Sequence, residues 1–323
     1  LKVKIYSIHF NRPDFVEFQD LTLRSFLKDD YELIIVNNAN DSNLIEGISK
    51  KCRDLNLSEY KIEGNIDQQA ASQYPGYHHA IAMNDVMQNL IKYDEGISVI
   101  LDGDVFLLNE YSFNERMQNV EMLGAYQHRK GRYWLTPVVL AFKPDKLLDF
   151  EQINLIGSHI VNLTPDNLEN DVGFFPKRHD NHYIFDCPVC AGSQNIDQNS
   201  HICLDTGGEL YTYLRNHKNS KVARASNTHH LTRDSLECIP EKYHIRYKDE
   251  YAFEFYANKF LHYCRSSNWD HKTNHYHSLK TSLLIDMIND AINREVYFDA
   301  KYQKPNDEIH GWPDHAINHH EIK

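Results

Sequence analysis

"SVILDGDVFLL", residues 98–108, sets two aspartates, Asp102 and Asp104, around Gly103 where an apolar run stops. Residues two apart in an extended chain point the same way, and glycine lets the backbone turn between them. Two carboxylates held so close repel each other, and a divalent cation between them turns that cost into a gain. Oxygen ligands with few thiolates suit Mn2+ or Mg2+. Such an ion bridges phosphate oxygens and takes up the charge on a departing diphosphate. A bare Asp-x-Asp also serves as a polar turn, so its position in the chain decides between the two.

Upstream of it, short apolar runs alternate with helical patterns, the mark of βαβ units feeding a parallel sheet. The runs are "VKIYSI" (3–8), "YELIIVNN" (31–38), "EYKIEG" (59–64) and "GISVILDGD" (96–104). Between them "PDFVEFQDLTLRSFL", "DSNLIEGISKKCRDL" and "YHHAIAMNDVMQNLIKY" carry apolar residues at three- and four-residue spacing. Pro13 fits a first helical turn, and Asp41 or Ser42 a cap. Downstream, "NVEMLGAYQ" and "YWLTPVVLAFKP" read as strands, and residues 154–200 as a long loop rich in Asn, Asp, Gly, Pro and His. Helices are expected at "GGELYTYLRNH", at "KDEYAFEFYANKFLHYC" and at "HSLKTSLLIDMINDAINREVYF".

With 323 residues, 41% of them hydrophobic, the chain can bury a sizeable core. Its 34 basic against 46 acidic side chains argue against nucleic acid as a partner, which needs clustered Lys and Arg. No run approaches the length of a membrane helix. Six cysteines are too sparse for a disulfide scaffold and point to a reducing compartment, so a soluble, cytoplasmic protein is expected. The chain starts at Leu1 and not at a methionine, which leaves room for an upstream segment.

"FNRPDF" after the first strand, "VNNAND" ending the second, "HHAIAMND" on a helix and then "VILDGDVFLL" together resemble the GT-A glycosyltransferases, nucleotide-diphospho-sugar transferases of the family 2-like or family 8-like kind. The resemblance covers residues 1–265 and implies an α/β, Rossmann-like fold: a mixed, mainly parallel sheet flanked by helices. Residues 1–110 would be the nucleotide-binding half, 111–265 the acceptor half, and 266–323 a helical C-terminal extension. It implies a sugar moved from a nucleotide-diphosphate donor, UDP- or GDP-linked, to a hydroxyl acceptor, a glycan, with Mn2+ or Mg2+. Asp102 would lie at the donor ribose or reach the metal, and Asp104 would ligate it. Phe10, Asn11, Arg12, Asn37 and Asn38 would frame the nucleoside. His79 would line the same pocket or simply pack its helix. Many members carry an aspartate where Asn37 and Asn38 stand, so the base stays open.

"FLHYCRSSNWDHK" (260–272) is similar to the His-aromatic-x-Gly-x-x-Lys-Pro-Trp pattern of some retaining members, without its Gly and Lys-Pro. It implies His262 as a metal ligand, with His229 and His230 as competitors, and Arg265 on the diphosphate in the lysine's place. In "CLDTGGELYTYL" (203–214) a carboxylate precedes two glycines at a helix start. Asp205, with Glu209 in reserve, is the candidate general base of an inverting reaction, and a helix cap is the plainer role for Asp205. Cys187, Cys190, His201 and Cys203 have the spacing of a structural Zn2+ site, and chance gives the same spacing.

Three other readings compete. A nucleotidyltransferase making the sugar nucleotide would want a Gly-rich loop after strand 1, and "HFNRPDF" has no glycine. A non-catalytic glycan-binding protein needs no intact Asp-x-Asp. A zinc hydrolase would carry an H-E-x-x-H or similar pair, which is missing. Oligomeric state does not follow from the sequence.

Overall fold

The computed structural model describes residues 2–62, 77–129, 132–161, 172–174, 176–179, 182–185, 201–204, 206–217, 220–225, 227–230, 236, 239–248, 251–257, 259–264, 274–296, 298 and 308–309. In chain order the elements begin with β1 (Val3–His9), α1 (Pro13–Phe26), β2 (Tyr31–Asn37), α2 (Ser42–Leu55), β3 (Ser58–Lys61) and α3 (Tyr77–Asn89). Next come β4 (Ile97–Asp102), β5 (Val105–Leu107), α4 (Phe113–Arg116), β6 (Met122–Arg129) and β7 (Arg132–Phe142). Short strands follow: β8 (Ser158–Val161), β9 (Val172–Phe174), β10 (Pro176–His179), β11 (His182–Phe185) and β12 (His201–Leu204). The chain ends with α5 (Glu209–Asn216), β13 (Val222–Ala225), β14 (Asn227–His230), β15 (Glu254–Tyr256), β16 (Phe260–His262), α6 (Asn274–Ile292) and β17 (Glu308–Ile309).

These elements fall into two compact units, each assembled from three separate stretches. The first takes Leu1–Lys61, Val99–Gln118 and Ala225–Asp307, and the second takes Ile62–Ser98, Asn119–Arg224 and Glu308–Lys323.

In the first unit β1, β2 and β3 are parallel, with Val3 opposite Tyr31 and Ile34 opposite Ser58, and β4 lies on the other side of β1. Val3, Ile5, Ile8, Ile35, Val36, Val99, Ile100 and Leu101 are all buried, the near-continuous apolar runs that a sheet covered on both faces requires. Pro13 opens α1, with Asp14 in its first turn and Arg24 in its last, each on the side the helix dipole favours. Asp41 caps α2 by accepting from the backbone N–H of Asn43 and Leu44 at 2.9 and 3.2 Å.

A second sheet in this unit runs β14-β15-β16-β5, every pair antiparallel. Here the sequence expectation of a helix over residues 248–264 fails. The aromatic residues of this stretch fit alternation: Phe253, Phe255, Leu261 and Tyr263 enter the core with Phe15 and Phe106, while Glu254, Tyr256 and His262 take the other face. Phe15 meets Phe106 and Tyr263 edge to face, at 5.2 and 5.1 Å between centroids. Leu283, Leu284, Met287 and Ile288 of α6 complete the same core, so the apolar face of this late helix is buried on its own chain.

In the second unit the strand order is β17-β13-β6-β7, with β6 and β7 antiparallel and a shift of register between Gly124 and Ala125. β8 pairs with β12 and β9, and β10 with β11. Short strands therefore occupy part of the 154–200 stretch expected to be loop. At three or four residues each they are too short for a strand period to stand out in the sequence, and pairing defines them. Before α5, Gly207 has φ +87, and a Cβ there would lie 2.3 Å from the Leu135 carbonyl oxygen. Among the described residues no helix is long and apolar enough to cross a membrane.

Candidate metal centre

The corner between β4 and β5 is held from within the first unit. Gly103 N–H donates to the Ile8 carbonyl at 2.9 Å, and a Cβ at 103 would lie 2.6 Å from that same oxygen and 2.9 Å from the His9 ring. Only glycine lets the corner approach β1 this closely. Gln19, fully buried on α1, spans the corner: its amide nitrogen donates to Asp102 O at 2.9 Å and Val105 O at 3.0 Å. The amide is thereby oriented, so Gln19 Oε1 is the acceptor and His9 Nε2–H the donor of the 3.1 Å bond between them. Burial pushes the His9 pKa down to about 4, with the Gln19 bond and the charges of Asp104 and Asp14 opposing, so the ring is neutral near pH 7.

β16 brings a histidine to this corner. Val105 pairs with His262, and Tyr263 N–H donates to Asp104 O at 2.8 Å. With Leu261 and Tyr263 committed to the core, the pleat turns His262 to the opposite face, where its Nε2 lies 3.2 Å from Asp104 Oδ1. Ligand atoms of Asp102, Asp104 and His262 all fall within 4.8 Å of one another. Donors around a single Mg2+-sized ion, each at about 2.1 Å, sit roughly 3–4 Å apart. Two carboxylates and an imidazole converging at this spacing fit a hard divalent cation.

Behind the ring, His262 Nδ1 is 2.8 Å from Glu254 Oε2, which also accepts from the Tyr256 hydroxyl at 2.7 Å. Cys264 Sγ lies 3.2 Å from the same Nδ1. Burial works against a charged ring, but Cys264 and Asp104, through charge and hydrogen bonding, outweigh it and hold the His262 pKa well above its usual range. A cation that takes a ring nitrogen here must displace the proton on it. Cys264 is also in the left-handed region at φ +54, an unusual conformation for this residue type.

The other sequence candidates have varied surroundings. Arg12 makes a forked pair with Asp14, at 2.9 and 2.7 Å, and its guanidinium stacks 3.7 Å over the Phe15 ring. It also lines a cleft of about 460 Å3 with His277, Ser278, Thr281, Ser282 and Ile285. Phe10 and Asn11 follow β1, and Asn11 is bonded through both ends of its amide to Asn40. Asn37 is spent on internal structure, donating to Ile45 O at 3.0 Å and Glu59 Oε1 at 2.8 Å. Asn38 is buried, and among the described residues its side-chain nitrogen has no hydrogen-bond partner. In the second unit, His79 is half-buried on α3, and Glu209 opens α5, where burial pushes its pKa up to about 7.

Asp205, Arg265, Cys187 and Cys190 lie outside the described residues, as do the side chains of His201, Cys203, His229 and His230. Gln19, Glu254, Tyr256 and Cys264 support the cluster without having been singled out in the sequence. The alternation in "FEFY" would have marked Glu254 as facing away from the core.

No family model matches the chain, and no curated protein matches it. Among solved structures it is similar to the galactosyltransferase LgtC in complex with donor and acceptor sugar analogues, at 10% identity and TM-score 0.32 over 46% of this chain and 62% of that one. It is similar also to the mannosyltransferase PcManGT from Pyrobaculum calidifontis in complex with GDP-Man and Mn2+, at 14% identity and TM-score 0.28 over 44% of each chain. S. aureus TarS overlaps at 18% identity and TM-score 0.30, over 48% of this chain and 30% of that one. The chain thus spans less than two thirds of the length of each of these proteins.

Proposed function

We propose that the chain is a metal-dependent glycosyltransferase, which moves a sugar from a UDP- or GDP-linked donor to a hydroxyl group of a glycan acceptor. The observation that carries this reading is the convergence of Asp102, Asp104 and His262 where β4, β5 and β16 meet. Strand ends of this kind are where open α/β sheets bind ligands. Asp104 and His262 would ligate Mn2+ or Mg2+ directly, and Asp102 would share the ion or hold the donor ribose. When bound, the cation supplies charge neutralisation to the leaving diphosphate.

The remaining roles belong to the protein. Gln19 and Gly103 fix the corner, so the two carboxylates meet the donor without rearrangement. Phe10, Asn11, Arg12 and Asn38 would frame the nucleoside, with Asn37 as a support for the strand end. Arg265 would draw the diphosphate oxygens away from the sugar. If configuration inverts, Asp205 or Glu209 accepts the proton of the attacking hydroxyl. Glu209, with a pKa of about 7, would be divided between acid and base forms at neutral pH, as a proton acceptor should be.

Calorimetric titration with UDP, GDP, CDP and ADP, each with Mn2+ and with EDTA, tests the reading on the wild type and on Asp104→Ala. Tight binding of one diphosphate, lost with EDTA and lost in a variant that melts like the wild type, is expected. Binding of none, or binding indifferent to EDTA and to Asp104→Ala, overturns it.

A further inference from the structure

Two groups of potential ligands share a single imidazole. On its Nε2 side stand Asp102 and Asp104, and on its Nδ1 side stand Glu254 and Cys264, whose ligand atoms likewise lie within 4.8 Å of each other and of the ring. The two sides differ in chemistry. Oxygen donors dominate the first, and a thiol joins a carboxylate at the second, a set that selects zinc-class cations. We propose that Glu254, His262 Nδ1 and Cys264 form a second cation site, specific for Zn2+ and its chemical relatives, whose occupation expels the hard cation from Asp102 and Asp104.

The distances are near those required. A tetrahedral zinc with bonds of about 2.3 Å to sulfur and about 2.0 Å to nitrogen and oxygen holds S and N roughly 3.5 Å apart, and N and O roughly 3.3 Å apart. Here Sγ to Nδ1 is 3.2 Å and Oε2 to Nδ1 is 2.8 Å, so these two pairs need open by about half an ångström or less, and all three ligand atoms already lie within 4.8 Å of one another. Tyr256, donating to Glu254 Oε2, orients the carboxylate as an outer partner does in metal sites. Zinc binding releases the Cys264 thiol proton and the His262 Nδ1 proton to solvent, which leaves a neutral ring.

The antagonism follows from counting protons on the ring. A neutral imidazole has one N–H, and only the bare nitrogen ligates. With a cation on Nε2, the proton sits on Nδ1 and is donated to Glu254; with zinc on Nδ1, it sits on Nε2 and is donated to Asp104, 3.2 Å away. Each cation therefore converts the other's ligand into a donor. The antagonism rests on the hard-cation reading above; the zinc site itself does not.

Cobalt(II) titration of the full chain tests the site, because a thiolate on Co2+ gives an intense near-ultraviolet absorption. The band is expected in the wild type and in Asp104→Ala, and the part due to this site is expected to vanish in Cys264→Ser. Equal bands in wild type and Cys264→Ser overturn the proposal. Alkylation of the Cys264 thiol, followed by peptide mass, guards against a misfolded variant: one equivalent of Zn2+ should slow it at least tenfold in the wild type, and no protection overturns the site. For the antagonism, the Mn2+ resonance spectrum is read as Zn2+ is added. Zn2+ should displace Mn2+ from the wild type at concentrations at least tenfold lower than from Cys264→Ser, and equal displacement overturns it. A chain that binds no Mn2+ yet shows the Cys264-dependent cobalt band contradicts the transferase reading and supports the zinc site.

Discussion

Two corners of the molecule use one device for different ends. At Gly103 and at Gly207 the backbone N–H bonds a carbonyl on another segment, Ile8 O at 2.9 Å and Leu155 O at 2.7 Å. At both a Cβ would strike a carbonyl oxygen, Ile8 O at 2.6 Å and Leu135 O at 2.3 Å. Each places a carboxylate one or two residues on, Asp104 and Glu209. There the likeness ends. Asp104 faces the His262 ring, while for Glu209 burial among the described residues drives the pKa to about 7. The same backbone geometry thus presents one acid suited to a cation and one suited to a proton, and the neighbours make the choice.

Substitutions can break this parallel. Gly207→Ala should do the most damage, since it combines φ +87 with the closer clash; about 3 kcal/mol or more is expected in urea unfolding. Gly103→Ala lacks the positive φ, so about 1–3 kcal/mol is expected, together with a loss of Mn2+ affinity that Gly207→Ala should not match. Gln19→Leu removes two amide bonds across the corner and the partner of His9, at a cost of about 2 kcal/mol, and should weaken Mn2+ binding in step.

Glu209→Gln sharpens the contrast through pH. A carboxyl whose folded pKa is raised from 4.5 to about 7 keeps a proton that the unfolded chain has lost, so its contribution to stability falls as pH rises through that interval. Melting temperatures of the wild type should decline from pH 4.5 to 7 relative to those of the variant, and a constant difference would contradict the burial of this group. The smallest effect, about 1 kcal/mol, is expected for Asp41→Ala, which strips the α2 cap and leaves both corners alone.

The elements from β1 to β4 were legible because period and caps agree: Pro13 and Asp41 mark helix starts, and apolar runs mark buried strands. Residues 248–264 were misread because aromatic residues are dense enough to satisfy helical and alternating spacing alike. What decides is β5, a distant segment that supplies pairing to β16. The site divides in the same way. Asp102, Asp104 and His262 stand out by residue type and by position near strand ends. Gln19 and Glu254 act through contacts made across long stretches of chain, which no local pattern announces.

The first unit's discontinuous construction bears on how the protein is made. β5 belongs to the Val99–Gln118 segment and β16, its one neighbour among the described residues, to Ala225–Asp307. A ribosome delivers the two aspartates long before the strand carrying His262, and until then β5 offers a bare edge and the carboxylates lack their ring. Closing so long a loop pays its entropy before any contact rewards it. Nascent chains arrested between residues 119 and 224 should therefore be the species most prone to chaperone capture and to pairing with one another.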